Sequence, residues 1–304
     1  MTGIRRREFL ALTAIGALSA AACGNRDPVV VRLASGEAGG FYHAFARLLA
    51  DVAAATGAVR IEPLTTSGSQ ENLDLLGAGL ADAALALADS ARSAPGSAVA
   101  LGRVYENYLQ FAVRADGPIR AVDELRGARV NLGAAGSGAA LTGERLLRAA
   151  GIDPARDITV EHRSLSDAAV ALRAGSIDAL LWAGGVPTGA LEVPARMRLL
   201  DLGELAAPLR ASYGPVYDRV AIPADAYPGA AAVHTVGVAN LLLTTPALPD
   251  RAAAAIVDLL AGHPDDLVPA EAAGTQFLDV RSLIGTGPIP LHPGAAAAYR
   301  RRHG

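Results

Sequence analysis

The chain has no lysine, a single cysteine, and aromatic side chains at only 4% of positions. Without lysine there is neither a lysine Schiff base nor a P-loop lysine. With Cys23 alone there is no internal disulfide and no cysteine metal cluster. The six histidines stand at 43, 162, 234, 263, 292 and 303, none in HxxxH or HxH spacing, so no metal or cofactor is read from the sequence. So few aromatics leave Ala, Leu and Val to fill the core. Positive charge is also in short supply. The formal net charge is −3, and residues 1–22, with three arginines and one glutamate, make the remainder more acidic still. That balance argues against nucleic acid as the main partner.

What is present begins with a segment built for export. Arg5-Arg6-Arg7 precedes Glu8-Phe9-Leu10 and an apolar run to Ala22, too short to span a bilayer comfortably. Arg6-Arg7-x-Phe9-Leu10 resembles a twin-arginine signal, with ordinary secretion as the alternative. Leu18-Ser19-Ala20-Ala21-Ala22-Cys23 resembles a lipobox and makes Cys23 the candidate lipidation site, which would tie the protein to a membrane. A cut after an Ala-x-Ala pattern, leaving a soluble protein, is the competing reading. Either places the mature chain outside the cytoplasmic membrane, periplasmic or at the cell surface. Residues 23–28 then form a tether.

One stretch occurs twice. Ser67 to Leu87 reads SGSQENLDLLGAGLADAALAL, and Arg163 to Ala183 reads RSLSDAAVALRAGSIDALLWA. Each has small polar residues, apolar residues at helical spacing, Ala-Gly (Ala78-Gly79, Ala174-Gly175), then Asp-Ala (Asp82-Ala83, Asp178-Ala179) and an apolar run. A helix closed by a left-handed glycine and followed by a covered parallel strand accounts for that order. The 304 residues are enough for two such α/β lobes. The predicted partition is residues 29–104 and 234–304 for lobe I and 105–233 for lobe II, with crossings along Tyr105 to Val113 and Thr235 to Leu243. Pro249 to Gly262 and Glu271 to Val280 read as helices, and Tyr213 to Tyr227, rich in Pro, Tyr and Asp, as loop.

Each lobe also has a strand, a glycine loop and a helix. Val29 to Ala34 leads through Ser35-Gly36-Glu37-Ala38-Gly39-Gly40 into a helix whose Phe41, Phe45, Leu48 and Val52 share a face. Ala128 to Leu132 leads through Gly133-Ala134-Ala135-Gly136-Ser137-Gly138 into a second. Neither loop has GxGxxG spacing, so a dinucleotide site is not supported. Free N–H groups and the positive dipole end suit both helix starts to anions. Ser69 begins another helix, for which Ser67 and Gln70 fit a capping box. The candidate binding residues are therefore Gly40, Phe41, Tyr42, Ser69, Asn72, Ser137, Gly138 and Ala139, with Asp89, Ser90, Trp182, Gly184 and Pro187 at or after the repeated strand ends, where ligands sit in open α/β sheets. Asp89 suits a ligand ammonium or a capping bond. No arginine is assigned to a ligand carboxylate; Arg92 and Arg114 are candidates only by following strand ends.

The segments SGEAGGFYH, TSGSQENL, DELRGARVNLGAAGSGA, LRAGSIDALLWAGGVPT, HTVGVANLLLT and IPLHPGAAAAYR span nearly all of the mature chain. In that order they resemble the TAXI-type solute-binding proteins, the extracytoplasmic components of TRAP transporters. The resemblance implies an α/β, two-lobed periplasmic-binding-protein type II fold with a hinge and an interlobe cleft. It also implies capture of a small organic anion, a dicarboxylate or an acidic amino acid such as glutamate, for TRAP membrane subunits. The chain departs from the family pattern at Phe41 and His43, around Tyr42, and at Ala139 after Gly-Ser-Gly, changes that bear on ligand choice. A receptor reporting to a sensor protein would need the same closing cleft. An extracytoplasmic enzyme is the weaker alternative, since neither Ser69 nor Ser137 lies in GxSxG and no base is placed to activate either.

Overall fold

Both glycine-closed helices run into a buried strand, as the repeat predicts. In a computed structural model that describes residues 27–269 and 278–303, Ser69–Gly77 and Leu165–Arg173 are helices followed by Gly79 and Gly175 at φ 69 and 70°. The strands that follow are Ala83–Leu87 and Ala179–Gly184. The export segment, Cys23 and all but the end of the helix expected from Glu271 lie outside the described residues.

Among the described residues, ten strands form one mixed sheet. They are β1 Val29–Ala34, β2 Val59–Leu64, β3 Ala83–Leu87, β4 Val99–Arg114, β5 Arg129–Asn131, β6 Thr159–Glu161, β7 Ala179–Gly184, β8 Met197–Leu199, β9 Asp218–Ile222 and β10 Val233–Thr244. The helices are α1 Phe41–Thr56, α2 Ser69–Gly77, α3 Gly138–Ala149, α4 Leu165–Arg173, α5 Ala206–Tyr213, α6 Asp250–Gly262, α7 Val280–Leu283 and α8 Pro293–His303. The sheet order β2-β1-β3-β10-β4-β7-β5-β6 reads symmetrically about its central antiparallel pair. The outer strands on each side are parallel: β1 to β2 and β3, and β5 to β6 and β7.

The symmetry extends to side chains. Arg32 in β1 reaches Asp82 from its backbone N–H and Nε, both to Oδ2 at 2.9 Å, and from Nη2 to Oδ1 at 2.8 Å; Nη2 also donates to Gly79 O. Arg129 in β5 repeats all four bonds, to Asp178 at 2.8, 3.1 and 2.9 Å and to Gly175 O at 2.7 Å. Each aspartate of the Asp-Ala signature thus ties a strand to the helix end before its neighbour. Such internal agreement removes chance as the origin of the repeat.

Helices cover both faces of the sheet, since its parallel strands are apolar on both sides. On one side of the central pair, Phe45 and Leu49 of α1 pack with Ile256 and Leu260 of α6, while Leu73 and Leu76 of α2 fill the opposite face. On the other side, Leu146 and Leu147 of α3 pack on Phe111 and Leu181, and Leu172 of α4 on Leu180 and Met197. Burying each such large side chain stabilises the fold by about 1.5–3 kcal/mol.

Three expectations need correction. The crossings are longer than their apolar runs indicate, because β4 starts at Val99 and pairs with β10 before continuing along β7, so it serves both halves. The expected lobe boundary at 104/105 therefore falls inside a continuous strand. The segment Tyr213 to Tyr227 is not all loop: β9 pairs antiparallel with β10 from Val233↔Ile222 to Gly237↔Asp218. Its exposed Asp218 and Arg219 hide an edge strand from a hydropathy reading. Ser67 and Gln70 do not form a capping box. The Ser67 N–H and Oγ both donate to Glu71 Oε2, at 2.6 and 2.7 Å, and α2 starts behind Gly68 at φ 123°, a conformation that favours glycine.

Candidate ligand-binding site

Three helix starts from the two sides of the sheet meet at one cavity. Its lining includes Gly40, Phe41 and Tyr42 of the α1 start, Ser67, Gly68 and Ser69 of the α2 start, and Ser137, Gly138 and Ala139 of the α3 start. Trp182 and Ala183 of β7, Leu87 of β3, Asn107 of β4 and the loop residues Gly36, Glu37, Gly133 and Ala134 complete it. The volume is about 50 Å3, room for roughly three or four waters.

Local sequence explains the convergence. Gly40 caps α1 without a side-chain hydrogen bond, leaving first-turn N–H groups free. Ser137 caps α3 by accepting from Ala140 N at 3.1 Å. The two sides touch through the Gln70 N–H, which donates to Gly136 O at 3.1 Å. A Cβ on Gly138 would stand 2.5 Å from Ser69 Oγ and 2.7 Å from Leu87 Cδ1, so only glycine permits this approach.

Glu37 is the one ionisable carboxyl of the lining, which holds no arginine or histidine. Burial pushes its carboxyl up from the ordinary range, a backbone hydrogen bond from Leu165 at the α4 start partly offsets this, and the Asp167 charge adds to the rise. Burial likewise raises the Tyr42 phenol well above its usual value. Its hydroxyl donates to Asn240 Oδ1 and lies 3.3 Å from Ser69 Oγ, which accepts from Leu87 N at 3.1 Å. Asn107 donates to Ala183 O at 3.3 Å, and its buried Oδ1 has no hydrogen-bond partner.

Of the residues singled out in the sequence, Gly40, Phe41, Tyr42, Ser69, Ser137, Gly138, Ala139 and Trp182 line this cavity, and the others do not. Asn72 is fully buried and its amide is consumed: it donates to Ser35 O and Leu85 O at 2.5 and 2.7 Å and accepts from Thr66 Oγ1 at 2.6 Å. Asp89 is fully buried too, held by Thr142 at 2.8 Å, Tyr217 at 3.0 Å and Arg145 at 3.3 Å. It is a tie between the two sides of the sheet rather than an acceptor facing the cavity. Ser90 packs beside it, with Oγ 3.4 Å from Asp89 Oδ1. Gly184 serves Trp182, because a Cβ there would lie 2.3 Å from the indole Nε1. Pro187 is exposed. Arg114 pairs with Asp116 at 3.7 Å, and Arg92 lines a different recess, on the far side of the central strands. Sequence reading missed Glu37, Leu87 and Asn107. Asn107 sits beside Glu106 and near Gln110 in β4, so no local pattern set it apart.

The model of the NMT1-like family matches residues 33–302, nearly all of the described chain. The chain belongs to the NMT1-like family. Among solved structures, a Bordetella bronchiseptica protein resembles this NMT1-like chain at 13% identity with a TM-score of 0.55, over 91% of this chain and 99% of the other. A Xanthomonas citri protein bound to ATP does so at 14% identity and a TM-score of 0.52, over 90% and 94%. The periplasmic aliphatic sulphonate-binding protein SsuA of Escherichia coli matches at 16% identity and a TM-score of 0.47, over 90% and 83%. The NMT1-like chain shares its mixed α/β fold with the first two of these over about nine-tenths of its length, and its cavity lies where helix starts from the two sides of the sheet meet.

Proposed function

We propose that this protein is an extracytoplasmic solute-binding protein that captures a small organic anion between its lobes and delivers it to a membrane transporter. The observation that carries this reading is the meeting of the α1, α2 and α3 starts at one interlobe cavity. Aligned N–H groups and positive dipole ends favour a carboxylate there without a cationic side chain. The TAXI-type resemblance adds the TRAP membrane subunits as partner, and the lipobox-like run that ends at Cys23 adds a lipid anchor to the membrane. Both belong to this proposal.

The lining narrows the ligand among dicarboxylates and acidic amino acids such as glutamate. One carboxylate is served by the helix starts, whereas a second would meet Glu37. The acceptors offered by Glu37 and by Asn107 Oδ1 suit an ammonium or another N–H donor. Ligands with a single carboxylate, amino acids included, are thereby favoured over dicarboxylates. Closure about β4 and β10 would enclose the ligand, provided that it binds the closed form more tightly than the open one.

A calorimetric and thermal-shift screen of the mature protein tests this, with monocarboxylates, C4 and C5 dicarboxylates, acidic and neutral amino acids and 2-oxo acids. A ligand at about a hundredfold its Kd should add about 2.7 kcal/mol of stability. Absence of any response across the whole set would overturn the reading. Uptake by vesicles carrying the TRAP subunits, dependent on added protein, tests the delivery step.

A further inference from the structure

Phe41 and Trp182 line a second recess as well as the cavity. It measures about 220 Å3 against about 50 Å3, and its other walls include Leu165, Thr188, Gly189 and Ala190. No ionisable residue contributes to it. Its hydroxyl-bearing side chain is already occupied: Thr188 Oγ1 donates to Gly185 O at 2.8 Å and accepts from Gln110 Nε2 at 3.1 Å, while Thr188 N–H donates to the Tyr227 hydroxyl at 2.9 Å. Gln110 Nε2 also donates to Gly185 O, at 2.9 Å. The recess therefore presents a mainly apolar surface without a charged group.

The shared aromatic wall is held in place from behind. The Phe41 ring packs edge-on against Tyr105 with centroids 4.1 Å apart. The Trp182 indole lies so close over Gly184 that a side chain there would displace it. A cavity of about 150 Å3 with apolar walls accepts a benzene ring. The larger recess therefore has room for an aryl group, and the smaller cavity for little more than a carboxylate head.

We infer that the recess is a tail subsite, and that the ligand is a monocarboxylate carrying an aryl or branched alkyl group. This rests on the anion-binding reading above: the helix starts hold the head, and Phe41 and Trp182 sort ligands by tail. Burying a ring there should tighten binding by about tenfold or more.

Calorimetry on the mature protein with propanoate, 3-phenylpropanoate and succinate provides the test. The expected result is 3-phenylpropanoate binding at least about tenfold more tightly than propanoate, with succinate weaker than either. Gly189→Trp fills the recess from a position where an added Cβ meets nothing within 4 Å, and should bring the ratio of the two affinities to about one. Ala190→Phe repeats the test should the first variant not fold. Equal binding of the two acids by the wild type, or an unchanged ratio in a folded variant, overturns the subsite and leaves the anion reading standing. Binding of none of the three, with amino acids and 2-oxo acids also silent, overturns both.

Discussion

The Asp89 carboxylate, just past β3 on one side of the central strand pair, receives the Arg145 guanidinium of α3 on the other at 3.3 Å, with Asp89 wholly shielded from solvent. Thr142 and Tyr217 donate to the same oxygen from the Arg145 side. Removing one partner of such a pair leaves a buried charge uncompensated. Asp89→Asn is therefore expected to lower stability by about 3 kcal/mol. Chemical denaturation of wild type and variant checks this, and a loss below about 0.5 kcal/mol would show that the tie contributes little.

Gly138→Ala should act on closure more than on folding. Its added methyl would press on Ser69 Oγ and Leu87 Cδ1 only where the lobes meet. Ligand affinity is expected to fall by about tenfold or more, with a smaller change in the melting temperature of the unliganded protein. Scattering profiles should show a wider mean opening for the variant. A melting loss as large as the loss of binding would place this contact in the permanent core instead.

Ser137 has two uses, and its substitution should report both. Its Oγ caps α3 through Ala140 N. Ser137→Ala is expected to cost about 1 kcal/mol of stability, seen in denaturant midpoints without ligand. Binding should weaken beyond that loss if the α3 start also holds the anion head.

Glu37 gives a pH dependence of definite sign. Burial raises its carboxyl in the folded protein, so the folded form binds more protons than the unfolded one through the window above the usual carboxylate range. Its contribution accordingly favours folding at low pH and is lost as pH rises through the folded value. Glu37→Gln is expected to flatten the rise in unfolding tendency between weakly acidic and neutral pH, measured by melting at a series of pH values. Glu106, also raised by burial, has the same sign and remains in that variant.

The Arg32–Asp82 and Arg129–Asp178 pairs act in the opposite direction. Hydrogen bonds from the arginines hold both aspartates below their usual value, so their contribution is present above about pH 4 and is lost as pH falls through the folded value. The double substitution Asp82→Asn with Asp178→Asn should make stability less dependent on pH in that acid range. An unchanged acid profile would count against it.

The parts of the fold that depend on near neighbours were legible in the sequence. Ala78-Gly79 and Ala174-Gly175 mark helix ends because a left-handed turn needs glycine, and the apolar runs after Asp82 and Asp178 mark covered strands. The three helix starts around the cavity were legible for the same reason. Long-range pairings were not. Arg32 meets an aspartate 50 positions away, and Asp89 meets Thr142, Arg145 and Tyr217. Nothing local distinguishes a carboxylate so consumed from one left for a ligand. Glu37 stood in a glycine loop read for its backbone, and it meets Leu165 only through the tertiary fold, 128 positions along the chain.

The symmetric strand order has a further consequence. The long last strand of each half borders the third strand of the other, β10 beside β3 and β4 beside β7. The protein is thus arranged like a dimer that has exchanged its terminal strands and then been joined into one polypeptide. Neither half can complete its own sheet from contiguous sequence, so a cut in the 115–121 connection should give two fragments that fold only together. The same exchange means that neither half can come away from the other without breaking a central strand pair.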